Sequence, residues 1–399
     1  MQDSEKAKVY LDELCNVEPN RRTGSPGNRE VTNFFANMVK KWNYMVDTTP
    51  FPCLDYESGK SSLMYQDQAY EIFISPFSLG CDVTSELVTV TTGSDLESCQ
   101  CANKILLMRG EICAEQLMPK NFVFYNPDHH KRIYAQLEEK QPAAIIAATE
   151  KKPELVGALY PFPLIEDGDF NIPSVYCTDV VGKEIAANTG KVFRLATEAK
   201  RIPSTACNVI ARKNQEAPRK IVVSAHIDAY WCTPGALDNA SGSVVLLLLA
   251  EMLEDYDGNS AIEIVAFNGE DYYSAGGQMD YLSRYGDELG RISVVINLDD
   301  LGYKQGKTVY SLYECPNEIE QKAHNIFSRY SGMATGEPWY QGDHMIFVQK
   351  GKPAIAMTSE KMPELMATIT HTTKDTPDMV DCEKLVEAAN VLRDFIKAF

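Results

Sequence analysis

The sequence predicts an α/β protein: a mixed, mostly parallel, doubly wound sheet flanked by helices and interrupted by a β-rich inserted domain. Three observations carry this. After Pro203, β-branched runs alternate with helix-patterned stretches, the pattern of strands joined by crossover helices. From about residue 57 to 197 the character changes to short apolar runs separated by turns, with one helical stretch. Finally, 399 residues exceed what one hydrophobic core usually serves, so two domains are expected. The division that follows is 1–58 with 200–399 for the α/β domain and 59–199 for the insertion.

Taken in order, residues 6–15 and 28–42 read as amphipathic helices, separated by the turn-forming Arg21-Arg22-Thr23-Gly24-Ser25-Pro26-Gly27,. A strand follows at 44–50. The insertion shows β-patterned runs at 105–108, 122–125, 144–147 and 192–195, and a helix at 131–140. Its His129-His130 pair reads as solvated polar surface, because neighbouring helical residues point to different faces. Beyond residue 200, strands are expected at 206–211, 221–225, 261–267, 292–298, 308–313 and 353–357. Helices are expected at 243–254, 275–285, 318–330 and 382–397,.

The net charge of -18 excludes nucleic acid as a partner, since that binding rests on Lys and Arg neutralising phosphates. The longest apolar run, 244–250, is a core helix rather than a membrane span,. Eleven cysteines without framework spacing point to free thiols, and with a charged N-terminus they favour a cytoplasmic protein, or a secreted one if a leader has been removed. No feature sets an oligomeric state.

The chemistry gathers around residues 221–242, IVVSAHIDAYWCTPGALDNASG. A strand delivers His226 and Asp228 just past its carboxyl end, where open α/β sheets keep their ligands. Asp238 stands at the mouth of the next apolar helix. Later strands end in Asn268-Gly269-Glu270-Asp271 and Asp299-Asp300, and a polar stretch near the end carries His371. Imidazoles with carboxylates are zinc-hydrolase ligands, and two histidines with three carboxylates suffice for two metals sharing one bridging carboxylate. A further carboxylate then serves as proton acceptor, and the Glu270-Asp271 pair supplies both a base and a ligand. Each piece alone has a plainer reading: Asp238 as a helix cap, His371 as a loop histidine. Their convergence on one predicted sheet edge favours the metal site.

These motifs resemble the two-zinc aminopeptidases related to aminopeptidase S, aminopeptidase Y and glutamate carboxypeptidase. The matching pieces are Arg22-Thr-Gly-Ser, AHID, DNASG, NGED, NLD, GDHMIFVQKGKPA and THTTKDTPD, in that order. Residues 60–198 are similar to a protease-associated domain through NKILLMRG, PAAIIAAT and FNIPSVYCTDVVGKEI. The resemblance implies a zinc exopeptidase-like fold and two Zn2+ ions, replaceable by other divalent cations in vitro. His226 and Asp299 would hold one ion, Asp271 and His371 the other, and Asp238 would bridge. Glu270 would be the general base, and Asp228 would orient the His226 ring. Asp271 stands where many relatives carry Glu, which shortens the ligand without removing it. Asp343 and His344 match the family's S-D-H, with Gly342 in place of the serine. Asp300, by charge complementarity to a free α-amine, and Trp339, Tyr340 and His344, by proximity, are the candidate substrate contacts.

The implied activity is release of N-terminal residues from peptides. A carboxypeptidase or dipeptidase would need cations to clamp a carboxylate, and Arg291 and Lys374 form no cluster in the sequence. A glutaminyl cyclase-like acyltransferase would share the scaffold with one zinc. A receptor-like binding module would dispense with the ligands.

Overall fold

The structure, a computed structural model, describes residues 2–399. The chain divides into two compact units, residues 1–53 with 205–399, and residues 54–204. The boundaries expected at 58/59 and 199/200 fall inside two sixteen-residue strands, Pro50–Tyr65 and Val192–Cys207. A continuous strand carries no compositional mark of where one unit gives way to the other.

The first unit is built on an eight-stranded sheet. Its order is Met45–Asp47, Val209–Lys213, Ser260–Phe267, Arg219–His226, Ile292–Leu298, Ala354–Ser359, Thr308–Tyr313 and Met333–Thr335. The four central strands run parallel, and antiparallel neighbours flank them on both sides. Central strands buried on both faces should be nearly all apolar; Ser260–Phe267 is buried at every position and departs from this only at Ser260 and at Glu263, which pairs with Arg212 and Lys220.

Side chains alternate across this sheet as the pleat requires. Ile221, Val223, Ala225, Ile262, Ile264, Val294, Ile296, Ile355 and Met357 face one core, shared with helices Asp3–Cys15, Pro26–Lys41, Gly242–Met252, Asn317–Phe327 and Cys382–Lys397. Helix Gly242–Met252 is apolar on almost all sides because it lies inside this layer,. On the other face, the Phe267 ring meets Tyr281 of helix Gly276–Tyr285 and Phe347 of helix His344–Val348. Helices on both faces make this a doubly wound, mixed α/β sheet.

The second unit holds its own eight-stranded sheet, with Cys81–Val90, Ile105–Arg109, Ala144–Thr149 and Ser174–Thr178 parallel at its centre. Helix Asp128–Lys140 packs Ile133, Tyr134 and Leu137 into its core. Residues 122–125 are not the expected strand. Asn126 donates to the carbonyls of Pro119 and Lys120 and closes the segment into a turn that leaves Val123 and Tyr125 exposed. Among the described residues, no helix is long and apolar enough to cross a membrane.

Candidate metal centre

Parallel register brings the strand ends level. His226 pairs with Phe267 in one direction and Ser224 with Asn297 in the other, so His226, the 268–271 loop and Asp299 leave the sheet at one edge. Asp238 reaches the same place through a loop. Asn239 donates to the Leu298 carbonyl at 2.7 Å and accepts from the Gly242 N–H at 2.9 Å, so the loop before helix Gly242–Met252 is tied to the strand that ends in Asp299.

The two oxygens of Asp238 face two different imidazoles. His226 Nε2 lies 3.1 Å from Asp238 Oδ1 and 3.4 Å from Asp299 Oδ1. His371 Nε2 lies 3.1 Å from Asp238 Oδ2 and 2.9 Å from Asp271 Oδ1. Two triads therefore share one carboxylate: His226, Asp238, Asp299 and Asp238, Asp271, His371. His226 Nδ1 is 3.3 Å from the Asp228 carbonyl and 3.6 Å from its carboxylate. Those acceptors hold a proton on Nδ1 and leave Nε2 as the ring nitrogen that faces the triad. Asp228 itself accepts from the Thr23 hydroxyl at 2.9 Å. The His371 ring is stacked on Tyr230, centroids 4.4 Å apart.

Carboxylates outnumber cations here. Asp228, Asp238, Asp299, Asp300, Asp343 and Asp375 are buried, and Glu270 and Asp271 half-buried. Desolvation, with help from their neighbours' charge, pushes Glu270 and Asp300 well above the usual carboxylate range. It also raises Asp271 and Asp299, and lifts Asp343 and Asp375 to about 7. Asp238 goes the other way: burial would raise it, but the hydrogen bonds and charge of His226 and His371 hold it far below. Oxygens of Asp271 (Oδ2), Asp299 (Oδ1), Asp300 (Oδ1) and Asp343 (Oδ2) are buried without a hydrogen-bond partner. So many desolvated carboxylates are costly unless cations lie among them. The donor set of imidazole nitrogen and carboxylate oxygen fits zinc.

Glu270 belongs to neither triad. Among the described residues it makes no ion pair, and its N–H donates to Asp228 Oδ1 at 3.4 Å. The four candidate substrate contacts separate. Tyr340 is 70% exposed and Trp339 half-buried. Asp300 is only 7% exposed. His344 is fully buried with Nε2 on the Trp339 carbonyl at 3.1 Å, so the structure corrects its assignment: it supports Trp339 from behind and offers no face to a substrate. Gly342 has φ 112, and a Cβ there would come within 2.7 Å of the Trp339 indole. That explains the missing serine of the S-D-H motif.

The sequence reading missed Arg21 and Asp375, which grip the Asp238 loop. It also set His129 and His130 apart, whereas both rings meet Glu115, at 3.1 and 3.2 Å. This group in the second unit is a poor metal site. The Met118 N–H donates to His130 Nδ1 at 3.0 Å, so the proton of a neutral ring sits on Nε2, facing Glu115 as a donor.

Residues 208–396 match the model of peptidase family M28. An aminopeptidase of Pseudomonas aeruginosa is 23% identical over 312 residues, covering 73% of this chain and 56% of that protein. Among solved structures, the aminopeptidase from Aneurinibacillus sp. strain AM-1 aligns over 98% of this chain and 93% of its own, with a TM-score of 0.75 and 24% identity. The zinc aminopeptidase BSAP from Bacillus subtilis aligns over 98% and 94%, with a TM-score of 0.74 and 20% identity. Likeness at these identities establishes the fold. The chain spans about half the length, or less, of the first curated relatives it matches.

Proposed function

We propose that the protein is a member of peptidase family M28, whose model residues 208–396 match, and that it is a zinc-dependent aminopeptidase that removes N-terminal residues from peptides. The observation that carries the reading is Asp238, with one oxygen 3.1 Å from His226 Nε2 and the other 3.1 Å from His371 Nε2. A carboxylate so placed would serve as a ligand to each of two ions. Asp299 completes one ligand set and Asp271 the other.

Two zinc ions held by these sets would polarise the scissile carbonyl and acidify the attacking water. Glu270 takes the proton as the water oxygen bonds to the carbonyl carbon. It returns that proton to the nitrogen as the C–N bond breaks, leaving a carboxylate and a free amine. Burial without an ion pair suits Glu270 to both halves of this exchange, because it raises the carboxylate's proton affinity. Asp228 keeps His226 in the ligating tautomer. Trp339 and Tyr340 form the half-open wall against which the substrate rests.

The charge of the site favours a free α-amine over a carboxylate as the recognised terminus. Arg291 immediately precedes the Ile292–Leu298 strand, at the end of the sheet opposite Asp299, and its guanidinium is committed to the carbonyls of Gln215 and Ala217. It cannot clamp a substrate carboxylate at the triads. Asp300, only 7% exposed, is too buried to meet a substrate amine from solution. The native localisation we propose is cytoplasmic, on cysteines scattered without framework spacing,.

The test is a panel of aminoacyl anilides and their N-acetylated counterparts, assayed before and after chelation and again after zinc repletion. Zinc-dependent cleavage of the free-amine substrates alone is expected. Turnover of the blocked substrates at equal rates would overturn the aminopeptidase assignment.

A further inference from the structure

The loop that carries Asp238 is gripped from two sides by residues remote from it in sequence. Arg21 is 1% exposed. Its guanidinium donates to the carbonyls of Pro234 and Gly235. It also anchors on Ile227 O at 2.9 Å and Leu14 O at 3.3 Å. Asp375, fully buried, takes the loop's amides: Leu237 N–H reaches Oδ1 at 2.7 Å and Asp238 N–H reaches Oδ2 at 3.1 Å. The Ala236 N–H donates to the Asp375 carbonyl at 3.2 Å. Five consecutive residues, 234 to 238, thus give two carbonyls to a cation and three amides to one aspartate.

Gly235 permits the arrangement. It has φ 62, and a Cβ there would meet Asp238 O at 2.4 Å and Arg21 Nη2 at 2.8 Å. No ordinary helix entry needs so much. A helix N-terminus is satisfied by one capping side chain, whereas here a desolvated guanidinium and a desolvated carboxylate fix a stretch that leads straight into the shared ligand.

We propose that Asp375 and Arg21 are positioning residues for the metal centre: they set the Asp238 backbone so that its carboxylate offers one oxygen to each imidazole. The inference rests on the two-zinc reading above and extends it to residues outside both triads. Because Asp238 belongs to both ligand sets, loosening its backbone weakens both ions together. Loss of an ordinary ligand would affect chiefly one.

Asp375→Asn in the full chain tests this. The amide keeps one acceptor but turns an N–H2 toward one of the two loop amides. Isothermal titration of the zinc-free protein with zinc should show both sites weakened 10–100-fold, the usual cost of losing a partner behind a ligand. The visible absorption of the cobalt-loaded protein should shift, since the angle of the bridging carboxylate changes. Arg21→Lys, which keeps the charge but loses the forked donors, should behave alike. Circular dichroism and thermal melts show whether each variant folds.

The outcomes separate. Wild-type protein that takes up no zinc would refute the metal reading itself. Two ions bound by Asp375→Asn with wild-type affinity and an unchanged cobalt spectrum would refute this inference alone. Loss of only one ion would also overturn it, as would failure of both variants to fold, which would assign the grip to domain stability.

Discussion

Replacing Glu270 with Gln isolates the proton-transfer role from everything else in the site. The two side chains have nearly the same shape, so packing around the half-buried position is kept. Neither triad includes Glu270, so zinc content should stay at the wild-type value. What disappears is a carboxylate that belongs to neither triad and makes no ion pair among the described residues. A positioned general base contributes about 10²–10⁴ in rate, which at about 1.4 kcal/mol per decade is about 3–5 kcal/mol of barrier. The upper part of that range is expected, because burial has already raised the proton affinity of Glu270. The assay is kcat on a leucine anilide, with metal content measured by atomic absorption on the same sample. A loss of kcat smaller than tenfold at full zinc occupancy would refute the argument. Loss of zinc along with activity would instead show that Glu270 is a ligand.

Other expectations are open to measurement. Chelation should abolish turnover and lower the melting temperature, because ions that bind only the folded state stabilise it by about 3 kcal/mol at a hundred times their dissociation constant; an unchanged melt would deny the carboxylate cluster its cations. Burial, the largest influence on His344, lowers it to about 4, against a hydrogen bond to Trp339 that works the other way. The unfolded chain therefore takes up this proton first: stability is full above about pH 6.5 and falls toward pH 4, by about 3 kcal/mol in all. Urea titrations at several pH values should show His344→Gln with a flatter slope over that window, and identical slopes would count against it. Gly242→Ala sets two effects against each other. Alanine gains up to about 1 kcal/mol of helix propensity, but its Cβ would stand 2.4 Å from Asn239 Oδ1 and 2.9 Å from both Ala225 Cβ and Leu298 O. Overpacking against backbone and core costs about 1–3 kcal/mol, so a net loss of about 1–2 kcal/mol is expected in denaturant unfolding, with a stabilised variant as the contrary result.

The α/β unit was legible because its signals are strong and local. Runs such as Ile221-Val222-Val223 have no other reading, and helix Cys382–Lys397 begins and ends where the pattern does. The gathering of His226, Glu270, Asp271 and Asp299 was legible for a related reason: strand ends at one edge must converge, whereas the sorting of these residues with Asp238 and His371 into two sets came from the resemblance. The grip on the Asp238 loop was not legible. Asp375 and Asp378 stand three residues apart in one polar stretch, one buried and the other exposed, and nothing local tells them apart. Arg21 and Arg22 present the same difficulty. In the second unit, the aromatic run 122–125 looked like a strand because alternation was read without the Asn126 side chain that closes the turn. His129 and His130 were set apart by helical geometry, yet at the first turn of helix Asp128–Lys140 both reach Glu115.

The order in which the centre's parts leave the ribosome has its own consequence. Arg21 is made before the second unit, His226 through Asp299 follow only after all of it, and His371 and Asp375 come later still. A nascent chain paused anywhere before residue 371 lacks one imidazole and the partner of the Asp238 amides. The second triad can therefore assemble only once residue 371 has been made.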